Sequence, residues 1–176
     1  MIVRCQWAEG SQIYRDYHDN EWGKAQYDSR KLFEKICLEG QQAGLSWITI
    51  LKKRENYRAA FYQFDPVRIA QMTEQDIDTL MQNEGLIRHR GKLQAIVTNA
   101  KAYLAMEKSG QNFSDFIWSF VNHQPQMNDV PELSVVPAQT PTSIEMSKAL
   151  KKRGFVFVGP TTCYAFMQSM GLVNDH

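Results

Sequence analysis

The stretch Leu38-Glu-Gly-Gln-Gln-Ala-Gly-Leu-Ser-Trp47 decides how this 176-residue chain is organised, because it places a carboxylate where a helix should be apolar. Upstream, apolar residues from Leu32 to Cys37 recur at helical spacing, which predicts a helix with one face in a core. Glu39 lies on the edge of that face. A carboxylate in such a place needs a partner, a shifted pKa or a ligand.

The loop after this helix extends the pattern. Gly40 and Gly44 bracket a polar segment that ends in Leu45 and Trp47. A buried acid, a loop with glycines and a large aromatic side chain within nine residues predict a ligand pocket with a mobile edge. Judged by spacing alone, most such glutamates reach solvent or pair with a lysine, so this alternative stays open.

Composition excludes several classes of protein. No apolar run approaches the roughly 18 residues of a membrane-spanning helix, and the N-terminus lacks the order of a signal peptide. Three widely spaced cysteines argue against a disulfide framework. We therefore expect a soluble, cytoplasmic, monomeric protein without a membrane partner, in which residues 1–176 form one domain.

The distribution of charge is more informative than the net charge of +1. Three basic clusters stand out: residues 52–54 with Arg58; Arg88, Arg90 and Lys92; and Lys148 with residues 151–153. One such cluster is typical of a solvated helix face. Three that meet on one surface would bind the phosphates of a nucleic acid, but the sequence does not show whether they meet.

The apolar periodicity predicts an all-α protein. The predicted helices lie near 29–40, 46–62, 66–72, 74–83, 91–108, 112–121, 143–153 and 160–170. Residues 155–158 (Phe-Val-Phe-Val) form the one short pattern typical of a strand. Residues 122–141 hold four of the six prolines and predict a long surface loop.

Cap residues indicate where several helices begin and end. Thr142-Ser-Ile-Glu145 fits a capping box, and Gly154 would end the helix that it starts. Thr73 and Asp76 offer a similar start. Asp65-Pro66 predicts another, since proline suits the first helical turn.

The segment Gly85-Leu-Ile-Arg-His-Arg-Gly-Lys92 joins two predicted helices. A short turn leaves the first N–H groups of the second helix free to bind an anion, and Arg88 and Arg90 add positive charge. Such a unit can hold DNA phosphates without reading bases. An ordinary helical hairpin with exposed charges is the alternative.

Several blocks of the chain, in order, resemble the DNA-3-methyladenine glycosylase I family, a branch of the helix-hairpin-helix DNA glycosylases. The blocks are Tyr17-His-Asp-Asn-Glu-Trp-Gly23, Ile36-Cys-Leu-Glu-Gly-Gln-Gln-Ala-Gly-Leu-Ser-Trp-Ile-Thr-Ile-Leu-Lys-Lys-Arg-Glu-Asn-Tyr-Arg58, Ile87-Arg-His-Arg-Gly-Lys92, Trp118-Ser-Phe-Val-Asn-His-Gln-Pro125, Ser147-Lys-Ala-Leu-Lys-Lys-Arg-Gly-Phe155 and Gly171-Leu-Val-Asn-Asp-His176. The similarity runs from Cys5 to the last residue.

The resemblance implies an enzyme of base excision repair. It would flip N3-methyladenine out of alkylated double-stranded DNA, hydrolyse the N-glycosidic bond and release free 3-methyladenine. Glu39, Tyr17 and Trp47 match the catalytic pocket, in which Glu39 accepts hydrogen bonds from the adenine edge. Tyr14 and Trp7 match further walls of the base site. Aromatic side chains in a helical protein are also ordinary core residues, so that alternative stays open for the other tryptophans.

The resemblance also implies how DNA is held. Gln42, Gly44 and Leu45 match the plug that fills the gap left by the flipped base. The hairpin at 85–92 would hold the backbone through Arg88, Arg90, Gly91 and Lys92. The implied fold has two small helical lobes, one of them central at about 64–110. No lysine matches a nucleophile position, which implies an enzyme without lyase activity.

A structural zinc ion is implied as well. In the resembled family a zinc ion clips the terminal segments together through two cysteines and two histidines. Cys5, His18 and His176 match three of these ligands. The fourth, a cysteine a few residues after the last histidine, has no counterpart here. Structural zinc normally takes four ligands, so we expect a weaker site.

Other functions fit part of the pattern. A non-catalytic module that binds bent or damaged DNA would need the hairpin and the basic clusters but not Glu39 among aromatic rings. A zinc-clipped scaffold for proteins would show no salt-dependent affinity for DNA. Glycosylases that remove other cationic or oxidised bases are the nearest alternatives among enzymes.

Overall fold

A computed structural model describes residues 12–127 and 139–174. Within these ranges the chain forms nine helices: α1 (Gln12–Asn20), α2 (Ser29–Gln41), α3 (Trp47–Ala60), α4 (Pro66–Ala70), α5 (Glu74–Leu80), α6 (Arg90–Lys108), α7 (Phe113–Trp118), α8 (Pro141–Lys152) and α9 (Pro160–Ser169). Short 3-10 turns lie at Tyr62–Phe64 and Ser119–Val121. Two-residue strands β1 (Gln126–Met127) and β2 (Val173–Asn174) pair in parallel. The predicted all-α class is confirmed apart from this small pairing.

Helix α2 is central to the fold. Its start is fixed by Asp28, whose carboxylate accepts the Lys31 N–H at 3.0 Å. Leu32, Phe33 and Ile36 are completely buried, as their spacing predicted. The helix contacts α3, α6, α7 and α9, so side chains near its end lie between several elements. In the described ranges, no helix is both long and apolar enough to cross a membrane.

Two predicted helix starts are confirmed and one is wrong. Asp65 caps α4 with Pro66 in the first turn, and Thr73 forms the capping box of α5. The box of α8, however, is formed by Thr140 and Ser143 rather than by Thr142 and Glu145. Pro141 decides this, because its missing N–H and fixed φ suit the first helical position directly after a cap.

The predictions also missed the first helix. Helix α1 begins at Gln12, in a segment that we had not predicted to be helical. Tyr14, Tyr17 and His18 stand three and four residues apart, which is a helical spacing that could have revealed it. This helix carries the first residues of the candidate site, so the omission matters for function.

The strand expected at 155–158 does not form. The side chain of Asn99 forms hydrogen bonds with both backbone groups of Val156. It accepts the Val156 N–H at 2.8 Å and donates to the Val156 carbonyl at 3.2 Å, so neither group pairs with a neighbouring strand. Phe157 then adopts a positive φ of 58°, which ends any extended run. Part of the predicted loop at 122–141 lies outside the described residues, and its start forms a turn followed by β1. The division into two lobes stays a prediction.

Candidate active site

Glu39 is buried in the last turns of α2. Only 5% of the residue is exposed, and its carboxylate Oε1 lies 3.1 Å from the ammonium of Lys35 one turn earlier. Burial raises the pKa of Glu39, and the Lys35 charge opposes that rise. The glutamate therefore does meet a lysine, but both groups stay inside the protein instead of reaching solvent.

Lys35 is the site residue that the sequence analysis missed. Its ammonium donates to the hydroxyl oxygen of Tyr17 at 2.5 Å and lies 3.3 Å from the centre of the Trp47 ring. A cation over an indole face is attracted by the ring quadrupole. The four-residue spacing of Lys35 and Glu39 on one helix was the available signal.

The predicted aromatic residues do meet around this ion pair. Tyr17 and Trp47 lie with ring centroids 5.6 Å apart, which brings α1 against the start of α3. Burial raises the pKa of Tyr17 well above its usual value, and the Glu39 charge adds to the rise. The same causes raise the pKa of Tyr14, which is half-buried. Trp7 lies outside the described residues.

Trp47 also carries an unused hydrogen-bond donor. It is 9% exposed, and its indole Nε1 is a buried polar side-chain atom without a partner in the described chain. A buried donor without a partner costs about 1 to 3 kcal/mol. An acceptor atom of a bound ligand would satisfy it.

Two cavities flank these residues. One of about 400 Å³ is lined by Tyr17, Lys35 and Trp47 together with Arg54 and other polar residues. The other, of about 220 Å³, is lined by Glu39, residues 42–45 and the first turn of α9. Glu39 therefore has open space beside it despite its burial.

The loop predicted to plug the duplex forms a turn between α2 and α3. Gly44 has φ +78°, a conformation that favours glycine, and nothing lies within 4 Å of where its Cβ would be. Leu45 is 39% exposed. Gln42 is half-buried and its carbonyl accepts the Leu45 N–H at 2.6 Å. The turn thus presents an apolar side chain at the rim of the Glu39 cavity.

The hairpin at 85–92 is a loop between α5 and α6. Some of its groups that could bind an anion are already bound to other groups of the protein. His89 caps α6 by accepting the Lys92 N–H on Nδ1 at 3.0 Å, so this N–H is not available to a phosphate. Arg88 and Gly91 are exposed, as binding requires. Arg90 is exposed too, but its guanidinium is paired with Asp78.

Lys92 differs from the prediction. It is 6% exposed, and its ammonium donates to the carbonyls of Gln41 at 3.0 Å and Ala43 at 2.5 Å. Gln41 in turn donates to the Lys92 carbonyl at 2.9 Å. Lys92 therefore ties α6 to the end of α2 and does not project from the hairpin toward a phosphate. A charged side chain was expected outside, but unpaired carbonyls at a helix end attract it inward.

The basic cluster on α3 is also partly neutralised. Arg54 forms two hydrogen bonds of 2.9 Å with Glu21, and Arg58 binds Glu34 at 2.7 and 3.0 Å. Lys53 donates to the carbonyl of Glu84, which places this helix beside the start of the hairpin loop. The α3 cluster thus lies near the start of the hairpin loop.

The predicted zinc site falls largely outside the described residues, where Cys5 and His176 both lie. His18 is buried, with Nδ1 3.2 Å from Asp19 and its ring stacked on Trp22. Over 12–127 and 139–174, no group of three histidine, cysteine or acidic side chains is arranged to hold a metal. Cys37 and Cys163 are free thiols buried in the core.

Comparison with known proteins places this geometry in a family. The model of a family described as methyladenine glycosylase matches residues 7–176. The chain is 73% identical over 176 residues to a DNA-3-methyladenine glycosylase of Haemophilus influenzae, covering 100% of this chain and 95% of that protein.

Solved structures agree with the sequence matches. A crystal structure of 3-methyladenine DNA glycosylase I superposes with a TM-score of 0.97 at 64% identity, covering 99% of this chain and 96% of the other. A tyrosine-to-phenylalanine variant of such an enzyme, in complex with 3-methyladenine, superposes with a TM-score of 0.95 at 43% identity, covering 99% and 94%. With this agreement over nearly its whole length, the chain belongs to the methyladenine glycosylase family.

Proposed function

We propose that the chain is a monofunctional DNA glycosylase that hydrolyses the N-glycosidic bond of N3-methyladenine in alkylated DNA and releases the free base. The observation that carries the proposal is Glu39, a buried carboxylate with a cavity beside it, paired with a lysine whose ammonium lies against the rings of Tyr17 and Trp47. The close structural match to a relative that holds 3-methyladenine supports the substrate.

Some residues of the site hold the flipped base, and another fills the place that the base leaves in the duplex. N3-methylation gives adenine a positive charge, so the base leaves as a neutral molecule and the glycosidic bond is weak. Glu39 accepts hydrogen bonds from the flipped adenine, while Trp47 and Tyr17, whose rings also contact the Lys35 ammonium, supply the aromatic side of the base site. Leu45 enters the stack in place of the base, as apolar wedges do in other DNA complexes.

The hairpin and neighbouring loop supply the contacts with the DNA backbone. Arg88 and Gly91 are exposed near the start of α6. Arg90 can bind a phosphate when its ion pair with Asp78 opens. Such contacts position the enzyme without reading sequence. Lys92 contributes indirectly, because it fixes the end of α2 that precedes the plug loop.

Release of free 3-methyladenine from methylated DNA tests the function, with Glu39→Gln as the informative variant. Glu39→Gln should lower excision and affinity for the free base, since the amide loses one acceptor oxygen, while binding to abasic DNA stays near wild type. Glu55→Gln is the matched control, because that glutamate is exposed on α3. Absence of base release by the wild-type protein would favour the non-catalytic DNA-binding module.

The absence of lyase activity needs its own test because of Lys35. A lysine attacks a sugar carbon only as the free amine, and the Lys35 ammonium is engaged by Glu39, Tyr17 and Trp47. Borohydride reduction during turnover on methylated DNA should therefore trap no covalent complex. A trapped adduct that disappears in Lys35→Arg would refute the monofunctional assignment.

A structural zinc ion held by Cys5, His18 and His176 is part of the proposal. The resemblance of the terminal segments supports it, and zinc bound there would tie the two ends together. The metal would have no part in bond cleavage. Elemental analysis of the purified protein should give close to one zinc per chain, and chelation should lower the melting temperature. Protein that is free of zinc and equally stable would remove this element.

A further inference from the structure

The ammonium of Lys35 contacts three residues of the candidate site, and the proposed function gives this lysine no role. Its ammonium lies 3.1 Å from the Glu39 carboxylate, 2.5 Å from the Tyr17 hydroxyl and 3.3 Å from the centre of the Trp47 ring. The three partners come from α2, α1 and α3. All three belong to the proposed base pocket, and Lys35 joins them through one charged group.

We propose that Lys35 is a positioning residue of the base pocket, which keeps the buried Glu39 ionised and its carboxylate in place as a hydrogen-bond acceptor. The inference rests on the proposed function, because it assigns Lys35 a task in binding the purine that Glu39 contacts. Lys35 itself acts through Glu39 and is not assigned a contact with the base.

The ionisation of Glu39 matters because of what an adenine presents. The exocyclic amino group of adenine donates hydrogen bonds, so the protein side must accept them. An ionised carboxylate offers two acceptor oxygens, whereas a protonated carboxyl carries an O–H that donates. A neutral Glu39 would therefore lose part of its fit to the amino edge.

Burial by itself would drive Glu39 toward the neutral form. A carboxylate in a site of low polarity has a raised pKa, and an adjacent cation counteracts the rise. At Glu39 the pKa is raised by burial and held down by Lys35. Burial likewise lowers the pKa of Lys35, to about 8, while Glu39 opposes that fall. Within the pair, each charge thus opposes the loss of the other's charge that burial favours.

Other ionisable groups around the pair do not replace Lys35. Glu21 and Arg54 face Lys35 from the other side, but they are bound to each other through two hydrogen bonds. Tyr14 and Tyr17 face Glu39 from α1, and both have raised pKa values, so they stay neutral near pH 7. In the described chain, Lys35 is the cation within ion-pair distance of Glu39.

The pH dependence of excision tests this role. In Lys35→Met the counter-charge is gone, so the pKa of Glu39 rises further and the acid limb of kcat/KM should move up by about 1 to 3 pH units. Lys35→Arg retains the charge and should return the limb most of the way to its wild-type position. Comparing variants on one substrate cancels any titration of the substrate itself.

The matched control is Lys92→Met, which also removes a buried lysine that contacts α2. Lys92 binds carbonyls of residues 41 and 43 rather than Glu39, so its loss should leave the acid limb in place whatever it does to stability. An acid limb that is unmoved in Lys35→Met overturns the proposal. A limb that moves equally in Lys35→Arg or in Lys92→Met overturns it as well.

A measurement on the unaltered protein decides the matter if Lys35→Met does not fold. The carboxyl carbon of Glu39, assigned by comparison with Glu39→Gln, should show the chemical shift of an ionised group in carbon-13 spectra at pH 7. A neutral carboxyl at that pH would refute the role of Lys35. Wild-type protein that releases no 3-methyladenine would refute the proposed function instead, and the spectra would still report on the ion pair.

Discussion

Replacing Lys92 by methionine should destabilise the protein without weakening its electrostatic attraction for DNA. The Lys92 ammonium makes two hydrogen bonds to carbonyls at the end of α2, at 3.0 and 2.5 Å. Hydrogen bonds from a charged donor contribute about 1.5 kcal/mol or more each, which gives about 3 kcal/mol for two. Ala43 is exposed, so water can replace one of them. We expect a net loss of about 2 kcal/mol in the free energy of unfolding.

Two assays separate this role from phosphate binding. In urea denaturation, Lys92→Met should lower the free energy of unfolding. In thermal denaturation, the melting temperature should fall by about 4 to 8 °C for a domain of this size. In DNA titrations at several salt concentrations, the slope of log affinity against log salt should be unchanged. A phosphate-binding lysine would instead change that slope by about 0.9 and leave stability alone.

Arg88→Ala is the matched control, since Arg88 is exposed on the same hairpin. It should flatten the salt dependence of DNA binding by about 0.9 and leave unfolding unaffected. The reasoning fails if Lys92→Met keeps wild-type stability and reduces the salt slope, because Lys92 would then turn outward to bind DNA.

Three further substitutions probe other parts of the site. Leu45→Ala should reduce excision from duplex DNA while retaining affinity for free 3-methyladenine in calorimetry, and an equal loss of both would place Leu45 in the base pocket. Arg90→Ala should weaken binding to methylated and unmethylated DNA alike in fluorescence titrations; if affinity is unchanged, Arg90 serves only its ion pair with Asp78. Asn99→Ala should lower the free energy of unfolding in urea by about 2 kcal/mol, because the N–H and carbonyl of Val156 lose their partner. Wild-type stability would mean that water replaces the amide.

The surroundings of Glu39 in the sequence show which structural features can be predicted from residues that are close together along the chain. Apolar spacing before it predicted a buried face on α2, which the structure confirms, but left open whether the carboxylate at the edge of that face would be buried. The two glycines likewise predicted a loop after this helix, and Gly44 does adopt a positive φ there. Such features depend on residues that are neighbours along the chain, so sequence alone suffices for them.

The burial of Lys35 and Lys92 could not be predicted from residues that are close to them in the sequence. Both are charged residues that a sequence places at the surface, yet both are buried. Lys92 is drawn inward by carbonyls 49 and 51 positions away in the sequence. Asn99 similarly removes an expected strand by binding a segment 57 residues later. No periodicity can foresee a partner that only the packing of distant helices supplies.

The amino-acid order of this chain therefore determined most of its helices, the apolar face of α2 near Glu39 and its family. The meeting of α1 and α3 beside α2 determined what surrounds the Lys35 ammonium that pairs with Glu39, namely a phenol hydroxyl and an indole face. The reason is physical: the charge state of a buried ion pair depends on groups within a few ångströms, and here the hydroxyl and the indole come from other helices.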